Sequence, residues 1–191
     1  MLLLRSRSVH LFLVLDVVQS VSLARYKIIP FVTHANVTNN SAFINATVEI
    51  IATASENRIN FDFTVAQPIY GPRLTVVLWL DLAAGALQAP FYNQTIDVCS
   101  LLKNPGAHRM VLLVYRELRR HGTLPTGCPI PVGLYKFRGI STNQMRLPPF
   151  FTQSDFMVDI IGLTSMTKAH TIDTRWYGVI NYVKCIAADR C

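Results

Sequence analysis

The stretch APFYNQTIDVCSLLKNPG, residues 89–106, decides how the chain must be organised. It contains an Asn-x-Thr triplet at Asn93, an aspartate at Asp97 and, two residues later, Cys99. A second cysteine, Cys128, follows in the segment PTGCPIP beyond a basic, helix-like region. Two cysteines that flank a predicted helix are well placed to close it into a loop.

The cysteines are even in number: Cys99, Cys128, Cys185 and Cys191. In a secreted chain this predicts two disulfides, for which three connectivities are possible. The simplest connectivity pairs Cys99 with Cys128. Closing the segment between them should stabilise the fold by roughly 3–4 kcal/mol, because the cross-link lowers the entropy of the unfolded chain. Cys185 would then pair with Cys191 and tie the tail to the last strand. The sequence has no Cys-x-x-Cys pair, and we expect neither a metal ion nor another cofactor.

Length and composition predict one largely β domain. The chain has 191 residues, enough for a single domain with a real core. It is 51% hydrophobic and 15% charged, which excludes a disordered chain. Nine glycines and ten prolines spread along it favour strands joined by turns over a helical bundle.

The N-terminus has the pattern of a cleaved signal peptide, predicted to span residues 1–24. Arg5 and Arg7 precede an apolar centre at residues 11–15, and a small-x-small site ends at Ala24. The alternative interpretation is a buried N-terminal strand. With the signal removed, residues 25–191 would form a single secreted domain.

Four Asn-x-Ser/Thr triplets support secretion, since such triplets accept N-linked sugars. They begin at Asn36, Asn39, Asn45 and Asn93. We expect all four asparagines on the surface, because a buried acceptor cannot carry a glycan. The overlap of the first two leaves open whether both are used.

Two strand-like segments stand out before the first cysteine. Residues 58–66 alternate strictly, with apolar side chains on one face, whereas residues 73–82 are nearly apolar on both. The turn-forming segment PIYGP separates them. The pattern predicts that the two segments pair as an antiparallel hairpin.

Residues 109–120 have helical periodicity and end at Gly122. Met110, Val114 and Leu118 are predicted to face a sheet, with arginines on the opposite side. The arginine-bearing face of this helix is interpreted either as a solvated surface or as a patch for an anionic membrane surface or a receptor. The patch comprises Arg109, Leu112, Leu113, Arg116 and Arg120.

The segment PFYNQTIDVCSLLKN, a helix of about four turns and CPIP together resemble the core signature of an insect-expanded family of uncharacterised secreted proteins. That family is similar to the lipid-recognition (ML) domains, which include the ganglioside-activator protein and the contact-chemosensory B-type proteins. The resemblance covers roughly residues 58–185. It implies an immunoglobulin-like two-sheet β-sandwich, mainly β, with one amphipathic helix between the Cys99 and Cys128 regions. It also implies a hydrophobic ligand held between the sheets.

Candidate residues for such a ligand pocket are apolar and mostly aromatic. The alternative for each is an ordinary core position. They are Phe61, Phe63, Val65, Val77, Trp79, Phe150, Phe151 and Phe156.

The sequence contains none of the common hydrolase, metalloprotease or phosphate-loop motifs, and no catalytic residue is predicted. Asp97 is expected to cap a helix. A net charge of +7 favours anionic lipid headgroups or an acidic receptor as partners, and the secretory features argue against binding of nucleic acid.

We therefore expect a secreted, non-enzymatic carrier or presenter of a lipid-like ligand, with chemosensation as a role the resemblance implies. The alternative is a secreted binding protein with a filled core that acts through its surface.

Overall fold

A computed structural model describes residues 26–53, 57–81, 89–165 and 167–185. The chain divides into two compact units. One unit, Lys27–Val183, contains both sheets and the main helix. Of the other, residues 1–26 with 184–191, the structure describes Tyr26, Lys184 and Cys185. The predicted signal peptide, residues 1–24, lies outside the described residues and stays a prediction.

Eight strands of the described residues form two antiparallel sheets, which confirms the mainly β, sandwich-like fold. The larger sheet has the order β1-β8-β7-β4-β5 and the smaller one β2-β3-β6. The strands are β1 (Tyr26–Asn39), β2 (Ile44–Ala52), β3 (Asn57–Val65), β4 (Pro72–Leu80), β5 (Tyr92–Asp97), β6 (Gly133–Ser141), β7 (Asp155–Thr164) and β8 (His170–Lys184).

The chain passes from the larger to the smaller sheet through a helical segment. It contains α1 (Val98–Lys103), a 3-10 turn (Pro105–Ala107) and α2 (Arg109–His121), which matches the predicted amphipathic helix. A further 3-10 turn, Thr142–Gln144, follows β6. Among the described residues, no helix is long and apolar enough to cross a membrane.

The predicted hairpin of residues 58–66 with 73–82 is wrong. β3 pairs with β2 and β6, whereas β4 pairs with β5 and β7 in the other sheet. The connecting segment is held in the core by Ile69, which is buried and exchanges two backbone hydrogen bonds with Ile130. Gly71 then turns the chain with a φ of 53°, a conformation that side chains disfavour. A buried connection of this kind leads from sheet to sheet, whereas a hairpin turn lies at the surface.

The predicted disulfide between Cys99 and Cys128 is confirmed. The two Cα atoms are 5.7 Å apart, within the normal range for a disulfide. The bond joins the first turn of α1 to the segment that leads into β6, and so closes the helical segment between the sheets. Cys185 is also disulfide-bonded, and Cys191, its predicted partner, lies outside the described residues.

Gly122 ends α2 as predicted, but for a different reason. Its backbone is extended, with a φ of −174°, so no left-handed cap is formed. A Cβ atom at this position would lie 2.2 Å from the carbonyl oxygen of Lys136 and 2.4 Å from the ring of Phe137. Glycine is therefore required because the helix end packs directly against β6.

A buried asparagine joins the two sheets at one end. Asn57, at the start of β3, has 0% exposure. Its Oδ1 accepts hydrogen bonds from the Val32 backbone N–H at 2.9 Å and from the Thr142 hydroxyl at 2.7 Å. Its Nδ2 donates to the Val32 carbonyl at 2.8 Å. One side chain thus connects β1, β3 and the turn that follows β6.

Replacing Asn57 with alanine should lower the free energy of unfolding by roughly 3 kcal/mol, because it leaves buried backbone groups of Val32 without partners. Urea denaturation of the purified protein measures this change. The exposed Gln94, changed to alanine, is the control and should alter stability by less than about 0.5 kcal/mol. Equal stability of the two variants would contradict a role for Asn57 in joining the sheets.

Candidate functional site

The space between the sheets is the first candidate site, and β4 and β7 line its larger side. Leu78 of β4 and Phe156 of β7 belong to one core cluster, which identifies the inner face of each strand. By the two-residue period of a strand, Val76 and Ile160 lie on that same face. They are opposite each other in the sheet register, on strands that have neighbours on both sides.

The inner face is unusually accessible at this point. Val76 and Ile160 are half-buried, and so are their sequence neighbours on the outer face, Val77 and Ile161. Side chains at the centre of a close-packed sandwich are normally covered by the facing sheet. A half-buried residue is one that a water-sized sphere can reach. The two sheets therefore do not close on each other here.

Aromatic side chains form the opposite wall of this space. Phe61 and Phe63 of β3 are half-buried, with ring centres 5.7 Å apart. Phe63 stacks on Tyr135 of β6 at 4.8 Å, and Phe61 lies 6.3 Å from Trp176 of β8 in the larger sheet. Phe61 and Phe63 pack against both core clusters, so they lie between them. Burial raises the pKa of the Tyr135 hydroxyl above its usual value.

One apolar residue of α2 that was predicted to face a sheet is exposed. Met110 and Leu118 pack against the core cluster of Phe137, as predicted. Val114 lies between them on the same helix face but is 45% exposed, contrary to the prediction that it is buried. The wall formed by α2 thus leaves apolar surface uncovered beside the sheets.

The candidate pocket residues fall into four groups. Phe61 and Phe63 line the space between the sheets, and Val65, Phe151 and Phe156 are fully buried in the core. Val77 and Trp79 lie on the face of β4 opposite to Leu78, so they do not face the interior. Phe150 is exposed.

Phe150 belongs to a surface cluster of three aromatic rings. Its ring stacks on buried Phe151 at 5.0 Å and lies 6.1 Å from the ring of Phe91. Phe150 is 61% and Phe91 47% exposed. Two large apolar side chains therefore share one surface patch, next to the start of β5 and before β7.

The predicted basic patch on α2 is split by the structure. Arg109, Arg116 and Arg120 are exposed as predicted, while Leu112 and Leu113 are half-buried. Leu113, Arg116 and Arg120 line a groove of about 450 Å³, whereas Arg109 and Leu112 do not contribute to it.

Sequence reasoning missed the buried acid of this groove. Glu117 is 3% exposed and forms an ion pair with Arg120. Glu117 is the single acid among the arginines of α2, and no role was predicted for it. The available signal was its spacing of seven residues from Met110, which places both on one side of the helix.

The four predicted glycan acceptors, Asn36, Asn39, Asn45 and Asn93, are all exposed. Asn39 differs from the others in its contacts. Its Oδ1 accepts from the Ala46 N–H at 2.8 Å and its Nδ2, the atom that would carry the sugar, donates to the Ala46 carbonyl at 3.0 Å. The side chain of Asn39 is thus part of the connection between β1 and β2.

The acid predicted to cap a helix does so. Asp97 precedes α1, and its Oδ1 accepts a hydrogen bond from the Ser100 N–H at 2.7 Å. This hydrogen bond, with a smaller contribution from the positive charge of Arg73, lowers the pKa of the Asp97 carboxyl below its usual value of 3.8. Among the described residues, no group of three or more acidic, histidine or cysteine side chains is arranged to hold a metal ion.

Residues 75–158 match the model of a family described as "Protein of unknown function (DUF1091)". The matched region runs from β4 to the first half of β7 and includes the disulfide, α1 and α2. No curated protein matches the chain.

Changing Asp97 to alanine should lower the free energy of unfolding by about 1 kcal/mol at pH 7, through loss of the helix cap. Because the folded pKa of Asp97 is lowered, its charge stabilises the fold above the unfolded pKa near 3.8, and this part is lost as pH falls through the folded value. The difference between wild type and variant should therefore shrink in urea titrations below pH 4. Asp97→Asn retains a capping oxygen and should stay close to wild type at pH 7. An alanine variant as stable as wild type at pH 7 would rule out the cap as a stabilising contact.

Proposed function

We propose that the protein is a secreted, non-enzymatic carrier or presenter of a lipid-like ligand, held between its two sheets. The observation that carries this proposal is the accessibility of Val76 and Ile160 on the inner face. An apolar space lined by aromatic side chains suits an acyl chain or another hydrophobic molecule.

Three further features support a carrier. Phe61, Phe63 and Trp176 provide an aromatic wall across the space, and Val114 of α2 exposes further apolar surface. The segment around Cys99 and Cys128 resembles the lipid-recognition domains, for which a ligand between the sheets is implied. The resemblance also implies a more specific role for such a carrier, in chemosensation.

Secretion is part of the same proposal. It is supported by the Cys99–Cys128 disulfide, since such bonds persist in oxidising compartments. The exposure of all four acceptor asparagines and the pattern of residues 1–24 agree with it.

The alternative, a binding protein with a filled core that acts through its surface, is favoured by one observation. Phe91 and Phe150 expose two aromatic rings in a single patch, where a receptor or an assembly partner would find apolar surface.

A pair of adjacent substitutions distinguishes the two functions. Ile160→Phe adds volume inside the space between the sheets, and Ile161→Phe adds the same volume outside. A carrier should lose bound lipid in Ile160→Phe but not in Ile161→Phe, with little change in stability for either. Native mass spectrometry and lipid extraction of protein secreted from insect cells measure the bound ligand, and urea denaturation measures stability.

A filled core gives a different result. Ile160→Phe would then overpack the interior and lower stability by roughly 1–3 kcal/mol, while wild-type protein would yield no lipid. That combination would overturn the carrier proposal in favour of the surface-acting protein.

The contacts of the acceptor asparagines predict which of them carry sugar. In protein secreted from insect cells, glycopeptide mapping should find glycans on Asn36, Asn45 and Asn93. Asn39 should be unmodified, because its Nδ2 is bonded to the Ala46 backbone. A glycan on Asn39 would contradict this assignment, and no glycan at any acceptor would contradict passage through the secretory pathway.

A further inference from the structure

The groove beside α2 is a second concave surface, of about 450 Å³. Its walls come from Lys27 in β1, the C-terminal half of α2 and residues 143–146, which follow β6. None of these side chains is among those that line the space between the sheets. The groove is thus separate from the proposed lipid site and does not depend on it.

Positive charge dominates the lining. Four cations, Lys27, Arg116, Arg120 and Arg146, face a single carboxylate, Glu117. Arg120 is paired with that carboxylate, and Arg146 has an interaction of its own. The charges of Arg120 and Glu117 cancel, and the remaining cations still give the groove a net positive charge. Guanidinium groups match the geometry of phosphate oxygens, which favours an anion of the phosphate class.

The buried acid adds a second requirement. One carboxylate oxygen of Glu117 binds Arg120, but the other, Oε2, has no hydrogen-bond partner although it is inaccessible. Nε2 of His121 is 3.7 Å from this oxygen, beyond hydrogen-bonding distance. Buried acceptors are nearly always satisfied in proteins. A ligand hydroxyl would supply the missing donor once a rotation of the Glu117 carboxylate turns Oε2 toward the groove that this side chain lines.

The floor of the groove is held in place before any ligand binds. The Met145 N–H donates to the Thr142 carbonyl at 3.0 Å, and the Leu147 N–H donates to the Ile28 carbonyl at 2.8 Å. Thr142 is itself bonded to buried Asn57. A rigid cationic groove binds an anion without first having to be ordered.

The groove also lies far from most of the predicted sugars. Lys27 and Asn36 are at opposite ends of β1, nine extended residues or roughly 30 Å apart. Asn39 and Asn45 are near that distant end as well. Glycans there would leave the groove accessible.

We propose that this groove binds a hydroxyl-bearing phosphate, with the phosphate between Arg116 and Lys27 and the hydroxyl donating to Oε2 of Glu117. This chemistry is that of a phosphopolyol, which occurs free, as in glycerol 3-phosphate, and as the headgroup of an anionic lipid, as in phosphatidylglycerol. The amide side chains of Asn143 and Gln144 offer further polar contacts along the wall.

Titration calorimetry of the full secreted protein tests the site with two soluble probes. Glycerol 3-phosphate should bind at least fivefold more tightly than methyl phosphate, which has the same charge but no hydroxyl. Arg116→Ala should weaken glycerol 3-phosphate binding roughly tenfold, as expected for a lost charge-assisted hydrogen bond. Arg109→Ala is the matched control, because Arg109 is an exposed arginine of the same helix outside the groove.

Each outcome decides a separate point. Equal affinity for the two probes would overturn the role of Glu117, and equal loss of affinity in Arg116→Ala and Arg109→Ala would reduce the site to general surface charge.

Flotation with phosphatidylglycerol and phosphatidylcholine vesicles identifies the source of the bound phosphate. Arg116-dependent binding of the anionic vesicles assigns a lipid headgroup, and binding of soluble probe alone assigns a free phosphate. Vesicle binding without any soluble-probe binding would overturn the groove as an anion site. Lipid extraction from the same variants shows independently whether the interior is occupied.

Discussion

The structure depends on one connection, the passage of the chain from β5 in the larger sheet to β6 in the smaller one. The Cys99–Cys128 disulfide closes this passage over a sequence separation of 29 residues, a constraint worth roughly 3–4 kcal/mol in loop entropy. Because both ends of the connection are fixed at one end of the sandwich, α2 must run alongside the sheets, where Gly122 lets its last turn contact β6. The position of the helix is thus constrained by a covalent bond, and the basic groove that α2 lines follows from this position.

The two sheets are joined by core side chains and, near their ends, by polar and covalent links. At one end the disulfide acts together with the paired backbones of Ile69 and Ile130, and at the other Asn57 binds both β1 and the turn after β6. Between these ends, Val76 and Ile160 remain accessible. These polar and covalent links act together with the packing of core side chains, in which residues of both sheets meet. The accessible inner face at Val76 and Ile160 is the feature on which the proposed lipid site rests.

Charged side chains contribute differently to stability at exposed and at buried positions. Arg175 and Asp159 pair on the outer face of the larger sheet, and this hydrogen-bonded contact raises the pKa of the Arg175 guanidinium. Such exposed pairs contribute little to stability, since water screens them. Glu117 is the exception, because it is buried and only one of its oxygens is bonded. The exposed ion pairs therefore contribute little to folding, and the groove around Glu117 is where several charged side chains share one concave surface.

The sequence by itself determined the local features. Strict alternation identified β3 and its inner residues Phe61 and Phe63, helical periodicity placed α2, and the cysteine spacing with Asp97 predicted the disulfide and the cap. Tertiary structure alone decided which strands share a sheet and which side of an ambiguous element faces inward. β4 is apolar on both faces, so its sequence could not show that Leu78 points inward and Trp79 outward. Pairing of β4 with β7 rather than with β3 depends on burying Ile69, a contact with Ile130 some sixty residues away that no local pattern encodes. Burial of Glu117 likewise depends on how α2 packs in the folded chain, because its ion pair with Arg120 on the same helix does not by itself bury it.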